Sequence, residues 1–339
     1  MTVTSIAMAR CRLSALLLLA WGVALPCLHA PAFAQEAEAP VEQAPADEEP
    51  AEDVRKCLAG QDALATGNAA DAIILFGACI DNGNLDEATL ALARMNIASA
   101  YLALGHFENA IGAYTVVIDE GIADPAAYLN RGLAYAALGD NEAAIMDFGR
   151  AIEAAPDDAR GHDARGRLLI DLGRTREALN DLDRAIALDP ELVSARGNRG
   201  YARIEAGDLE GAISDFDFLI ARNPQDGAAL SGRAQALLAS GKTAEALSAF
   251  DEAVRMAPES AVAHSGRCRA LMQLGQLDMA LSDCERAAML DPADPMVLTA
   301  LGDVHALMEN YSEARAAYER ALLSRPSYAP ALKGLGNLP

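Results

Sequence analysis

The sequence predicts an all-α protein built from repeated pairs of antiparallel helices, and three registers carry that prediction. Proline recurs every 34 residues, at Pro156, Pro190, Pro224, Pro258, Pro292 and Pro326. Glycine keeps the same step at Gly105, Gly139, Gly173, Gly207, Gly241 and Gly275, and alanine at Ala110, Ala144, Ala178, Ala212, Ala246, Ala280 and Ala314. The chain has fifteen prolines, so six in one register mark a repeat, and a period of this size belongs to stacked supersecondary units.

Residues 125–158 serve as the reference unit, numbered 1 to 34. Its first half carries Tyr128, Gly132, Tyr135 and Leu138, the spacing of one face of a helix. Its second half repeats that period with Ala144, Phe148, Ala151 and Ile152. Gly139-Asp140 between them stops the first helix and turns the chain. Proline at position 32 ends the second helix, because its ring and the restriction on the preceding residue exclude a further helical turn.

Size alternates where two helices must meet. Position 8 is Gly60, Ala98, Gly132, Gly166, Gly200, Ala234, Cys268 and Gly302, and position 20 is alanine in every unit, Ala72 included. Position 24 is large at Phe76, Tyr114, Phe148, Leu182, Phe216, Phe250 and Tyr318, with Cys284 the exception. Bulk at 24 is expected to fill the space left open by small residues at 8 and 20.

Small-8, Ala-20, aromatic-24, small-27 and Pro-32 together resemble the tetratricopeptide repeat family over residues 53–328. The resemblance implies a right-handed superhelical solenoid whose concave groove is lined by the first helix of each unit. The units are 53–86, 91–124, 125–158, 159–192, 193–226, 227–260, 261–294 and 295–328. The first is the loosest, with Asn82-Gly83-Asn84 in place of the usual ending and four extra residues before the second. The eighth has Glu309 where the others turn on glycine. In 329–339, Leu332, Leu335 and Gly336 restart the motif as a partial capping helix, which would cover the apolar face of the last full unit.

Ahead of the repeats, residues 1–34 read as a secretory signal. Arg10 and Arg12 precede an apolar core from Leu13 to Leu25, and Ala32-Phe33-Ala34 supplies a small-x-small cleavage pattern after Ala34. The core is short for a bilayer span and meets Pro26; an uncleaved anchor is the other reading. Leu25-Pro26 before Cys27 is a poor match to a lipidation box. Residues 35–52 are Pro-, Ala- and Glu-rich with almost no large apolar residue, the composition of a disordered acidic linker. The expected location is periplasmic or secreted, with no membrane insertion after cleavage. A net charge of −22 without a basic run opposes nucleic acid and anionic lipid as direct ligands.

Cys57, Cys79, Cys268 and Cys284 follow the signal segment, at unit positions 5 and 27, then 8 and 24. In a helix pair turning near position 16, positions that sum to 32 lie opposite each other, and both pairs do. In an oxidising compartment this predicts disulfides Cys57–Cys79 and Cys268–Cys284, with buried free thiols as the alternative. A second pairing appears on overlaying the units. Position 7 is arginine at 131, 165, 199, 233 and 267, and position 23 is Asp147, Asp181, Asp215, Ala249 and Asp283. Units with Ile97 or Leu301 at position 7 have Ala113 or Ala317 at position 23. Ion pairs are expected between the two helices of a unit, or from one unit to its neighbour.

No catalytic constellation emerges. His106, His162, His264 and His305 are scattered, none with metal-ligand spacing; the sequence has no phosphate loop and no nucleophile elbow. The chain is therefore expected to be non-enzymatic, without cofactor or metal. The resemblance places positions 2, 5, 6, 9, 12 and 13 in the groove. The candidates there are Met95, Asn96, Ser99, Asn130 and Leu133, then Arg160, Asp163, Arg167, Asn198 and Tyr201, then Gln235 and Arg269. Asn96, Asn130 and Asn198 share position 6, where amides can pair with the backbone of an extended peptide. The lysine-and-asparagine clamp that some members use for a C-terminal carboxylate is missing: positions 5 and 9 hold Met95/Ser99, Leu129/Leu133 and Asp163/Arg167. The expected role is a non-catalytic scaffold of the bacterial cell envelope that binds a protein or extended peptide. The alternative is an adaptor in glycan handling, against which stands the scarcity of aromatics for sugar stacking, Tyr201 being nearly alone.

Overall fold

A computed structural model of the chain describes residues 52–81, 85–121 and 124–339. The expected signal segment, the linker up to residue 51 and Asn82–Asn84 lie outside the described residues. Among those described, the secondary structure is all helix, with no strand, in two compact units divided at Leu168.

The first unit holds α1 (Glu52–Ala65), α2 (Ala69–Asp81), α3 (Glu87–Ala103), α4 (Phe107–Asp119), α5 (Pro125–Ala137), α6 (Asn141–Ala154) and most of α7 (Ala159–Asp171). The second holds α8 (Thr175–Leu188), α9 (Val193–Ala206), α10 (Leu209–Arg222), α11 (Gly227–Ala239), α12 (Thr243–Met256), α13 (Ala261–Gln273), α14 (Leu277–Leu290), α15 (Pro295–Leu307), α16 (Tyr311–Ser324) and α17 (Ala329–Gly336). From α6 on, each second helix of a repeat ends two residues before its proline, at Ala154, Leu188, Arg222, Met256, Leu290 and Ser324. This is the boundary expected where proline pushes the residue before it out of the helical region.

Turns between paired helices share one geometry. After α5 the amide of Asp140 donates to the carbonyl of Tyr135 and that of Gly139 to Ala136, closing the helix with a left-handed residue. Gly139 has φ 81°, and the equivalent Glu309 adopts φ 63°, a region that costs a residue with a Cβ about 1–2 kcal/mol. Aspartates cap the helices that follow: Asp140 accepts from Ala143, Asp208 from Gly211, and Asp294 from Met296 with Pro295 in the first turn.

Within a unit each helix packs on the next, and the first helices of neighbouring repeats also touch, α1 with α3, α3 with α5, α9 with α11, α11 with α13 and α13 with α15. The core is a series of rings in sockets. A Cβ added at Gly132 would lie 2.7 Å from the Phe148 ring, and one at Gly200 2.7 Å from Phe216. The ring is gripped from the other side too. Gly232 crowds Phe216, Gly266 crowds Phe250, and a Cβ at Gly334 would come 2.5 Å from Tyr318, so position 6 of a repeat faces the ring of the repeat before it. These rings are almost completely buried.

Two disulfides tie paired helices, Cys57–Cys79 between α1 and α2 and Cys268–Cys284 between α13 and α14, with Cα atoms 5.4 and 5.5 Å apart. Such a bridge contributes about 3 kcal/mol when unstrained.

Candidate functional site

Arginines at position 7 are built into the seams. Arg131 on α5 donates from Nε and Nη2 to both carboxylate oxygens of Asp147 on α6, at 2.7 and 2.9 Å, and from Nη1 to Thr115 on α4 at 2.9 Å. Both members of the pair are buried, and the Asp147 hydrogen bonds, outweighing burial, hold the guanidinium above its ordinary pKa. Arg199 repeats the fork on Asp215 and reaches back to Asp183; Arg267 does so on Asp283 and reaches back to Asp251. Arg233, whose own repeat has Ala249 at position 23, pairs with Asp217 of the preceding repeat. One arginine thus joins its own repeat through position 23 and the previous repeat through position 25. The row Thr115, Asp183, Asp217, Asp251 was visible in the sequence at that position, but nothing in one repeat alone links it to the next arginine.

The other candidates divide by environment. On α3 and α5, Met95, Leu129 and Leu133 are half-buried, and Asn96, Ser99 and Asn130 are buried. The Ser99 hydroxyl meets the Tyr114 hydroxyl at 2.9 Å and donates to the Met95 carbonyl at 2.9 Å. Burial raises the Tyr114 pKa, with Ser99 and Asn130 beside it opposing the shift. Neither amide atom of Asn96 has a hydrogen-bond partner, and the Asn130 amide lies beside the Tyr114 hydroxyl. Arg160 pairs with Asp158 at its own helix start, with Nε 3.0 Å from the carboxylate, and Arg167 is exposed. Burial alone would raise the Asp158 pKa, yet hydrogen bonds from Arg160 leave it lowered. Asp163 is half-buried. In the second unit, Asn198 and Gln235 are half-buried and Arg269 is exposed. Tyr201 is half-buried and packs against Phe216 in a T-shaped arrangement, with ring centroids 5.1 Å apart.

No three His, Cys, Asp or Glu side chains come together as a metal site among the described residues. His264 is engaged in the core, with Nδ1 2.9 Å from Asp283 and Nε2 3.1 Å from the Pro258 carbonyl. No described helix is long and apolar enough to cross a membrane.

The tetratricopeptide repeat family model matches residues 57–125, 95–159, 164–227, 198–261, 232–295 and 299–338. The chain belongs to the tetratricopeptide repeat family. Among solved structures it is similar to a tetratricopeptide repeat protein from Parabacteroides merdae, at 19% identity over 74% of this chain and 98% of that one, with a TM-score of 0.61. It is also similar to a chain of the APC/C hetero-tetramer Cut9–Hcn1, at 13% identity over 83% and 55% with a TM-score of 0.61. Yeast Tom70 aligns at 18% identity over 88% and 66%, with a TM-score of 0.54. These likenesses concern the fold. No curated protein matches the chain in sequence. Tetratricopeptide repeats serve in general as non-catalytic scaffolds for protein interaction.

Proposed function

We propose that this tetratricopeptide array is a non-catalytic scaffold of the bacterial cell envelope that holds an extended segment of a partner protein along the first helices of its repeats. The observation that carries this reading is the surface of α3 and α5. Positions 2, 5, 9, 12 and 13 of these repeats hold Leu92, Met95, Ser99, Leu102, Ala103, Ala126, Leu129, Leu133, Ala136 and Ala137, without one charge in a chain of net charge −22. Met95, Leu102, Leu129 and Leu133 are only half-buried. Behind them lie the buried amides of Asn96 and Asn130. Charge begins at Arg160, Asp163 and Arg167, on the face of α7. The partner segment is therefore an apolar stretch flanked by polar or charged residues, bound with modest strength per unit area because it is ordered on binding.

Two features support the envelope as its place: the signal-like sequence of residues 1–34, and two disulfides of a kind that persists in oxidising compartments. The glycan-handling alternative has less behind it, because Tyr201 is nearly alone as an aromatic for stacking on a sugar. The test is pull-down of crosslinked partners from the periplasm with wild type and with Asn130→Ala/Arg167→Ala, whose unchanged thermal melting serves as the folding control. Loss of a protein partner from the variant supports the reading, whereas retention of every partner refutes it. Binding to a glycan array without any protein partner would favour the alternative.

A further inference from the structure

In a stack of repeats an inner repeat is held by a neighbour on each side, and a terminal one by a neighbour on one side only. Among the described residues no helix precedes α1, which packs on α2 and, along the row of first helices, on α3. Where its burial is described, α1 buries only Cys57 and Gly60; Arg55 and Asp62 are exposed, and Val54, Leu58 and Leu64 are half-buried or exposed. By contrast α3, with a repeat on each side, buries Ala93, Asn96, Ala98, Ser99 and Ala100. Glycine brings no side chain, so Cys57 is the one fully buried side chain that α1 adds to the cluster of Ala72, Phe76, Cys79 and Ala93. That side chain is bonded to Cys79 of α2. The other bridge lies inside the array, where Leu271, Leu301 and Val304 share its apolar cluster and complete repeats flank it on both sides.

We propose that Cys57–Cys79 is a redox latch on α1: oxidised, it holds α1 in place, and reduced, it lets α1 detach while α2 stays on α3. Closing the latch passes two electrons and two protons from the two thiols to a small disulfide such as oxidised glutathione, which becomes two thiols. Opening it with a dithiol reverses this: the protein S–S bond breaks, two protein thiols form, and the dithiol leaves as its own disulfide. The second helix keeps its place because it buries Ala69, Ala72, Phe76 and Cys79 and packs on α3 independently of the bridge. Detachment uncovers an apolar edge. Phe76 loses the wall at Gly60, where a Cβ would lie 3.0 Å from the ring, and Ala93 and Ile97 of α3 lose cover from the same cluster. The latch therefore sets whether the row of first helices starts at α1 or at an open apolar face beside α3.

The experiment is hydrogen exchange read by mass spectrometry on the full chain: oxidised, after a dithiol reductant, and after reoxidation with oxidised glutathione. Free thiols are assigned to each cysteine by alkylation. A variant with Cys57→Ser and Cys79→Ala is measured alongside; serine and alanine stand at the same positions of the repeat 227–260, as Ser231 and Ala253, so the variant loses the bridge and keeps the packing. The expected result is exchange at least ~10-fold faster in α1 on reduction and in the variant, recovery on reoxidation in the wild type only, and a change below ~3-fold in α13 and α14. Protection of α1 in the variant within ~3-fold of wild type would overturn the proposal. So would equal loosening of α1 and α13, or failure of the reductant to open Cys57–Cys79 without denaturant. The outcome is independent of whether a partner binds along α3 and α5.

Discussion

The second and eighth repeats make the same structure with different chemistry. Each places a tyrosine at position 24, Tyr114 and Tyr318, and each lacks the arginine of its fellows at position 7, with Ile97 and Leu301 instead. The Tyr114 hydroxyl meets neutral Ser99 at 2.9 Å, whereas Tyr318 donates to the Asp303 carboxylate at 2.7 Å. The residue facing the ring from the following repeat is Asn130 in the first case and Gly334 in the second. The turn residue is Gly105 in one and Glu309 in the other. The ring therefore fixes the slot, and its surroundings decide whether the next repeat closes on it with a bare glycine or with a polar side chain. The polar version lies behind the uncharged surface of α3 and α5.

The largest effect expected comes from exchanging the two seams. Gly334→Asn places a side chain where a Cβ alone would come 2.5 Å from the Tyr318 ring, and overpacking of this kind costs about 1–3 kcal/mol. Asn130→Ala, by contrast, removes the amide beside the Tyr114 hydroxyl without forcing an atom into the ring, and should cost about 1 kcal/mol or less. Urea denaturation of the two variants separates these outcomes, and similar losses in both would erase the distinction. Next in size is Tyr114→Phe, which deletes a buried hydroxyl–hydroxyl bond and should cost about 1 kcal/mol by the same assay.

A pH difference sharpens the contrast further. Burial, partly opposed by the Tyr318 hydroxyl, raises the Asp303 carboxyl above its ordinary pKa, whereas Ser99 has no charge to lose. The folded protein binds that proton more tightly than the unfolded chain. The stabilisation is complete below the unfolded value near 3.8 and is lost as pH rises through the higher folded value. Asp303→Asn should accordingly be more stable than wild type at neutral pH, with the advantage shrinking on acidification; an advantage that grows on acidification would reverse the assignment. The smallest effect belongs to the turn. Glu309→Gly relieves a left-handed residue with a Cβ but adds glycine's larger entropy loss on folding, so it should stabilise the fold by about 1 kcal/mol at most and raise the melting point slightly, while Gly105→Glu should lower it.

Much of this was legible in the sequence because it repeats. A step of 34 exposes the helix ends at Pro156 and its equivalents, the alternation of small and large at positions 8, 20 and 24, and the joint appearance of arginine at 7 with aspartate at 23. Contacts between repeats were harder to read. Position 6 faces the preceding ring, as Gly232 and Gly266 show, and Arg199 reaches back to Asp183; both depend on how one helix pair settles on the next, which no single repeat encodes. For the same reason Asn96 and Asn130 read as open groove residues, whereas their side chains are buried behind the surface they were expected to form.

The most direct test of the proposed binding surface is photocrosslinking in intact cells. A photoreactive residue is placed at Arg167, exposed on the first-helix face of the first unit, or at Met146, which is 55% exposed on the second helix α6. Crosslinks to a polypeptide partner from position 167 and none from 146 are the predicted result. Crosslinks from 146 with none from 167 would contradict it.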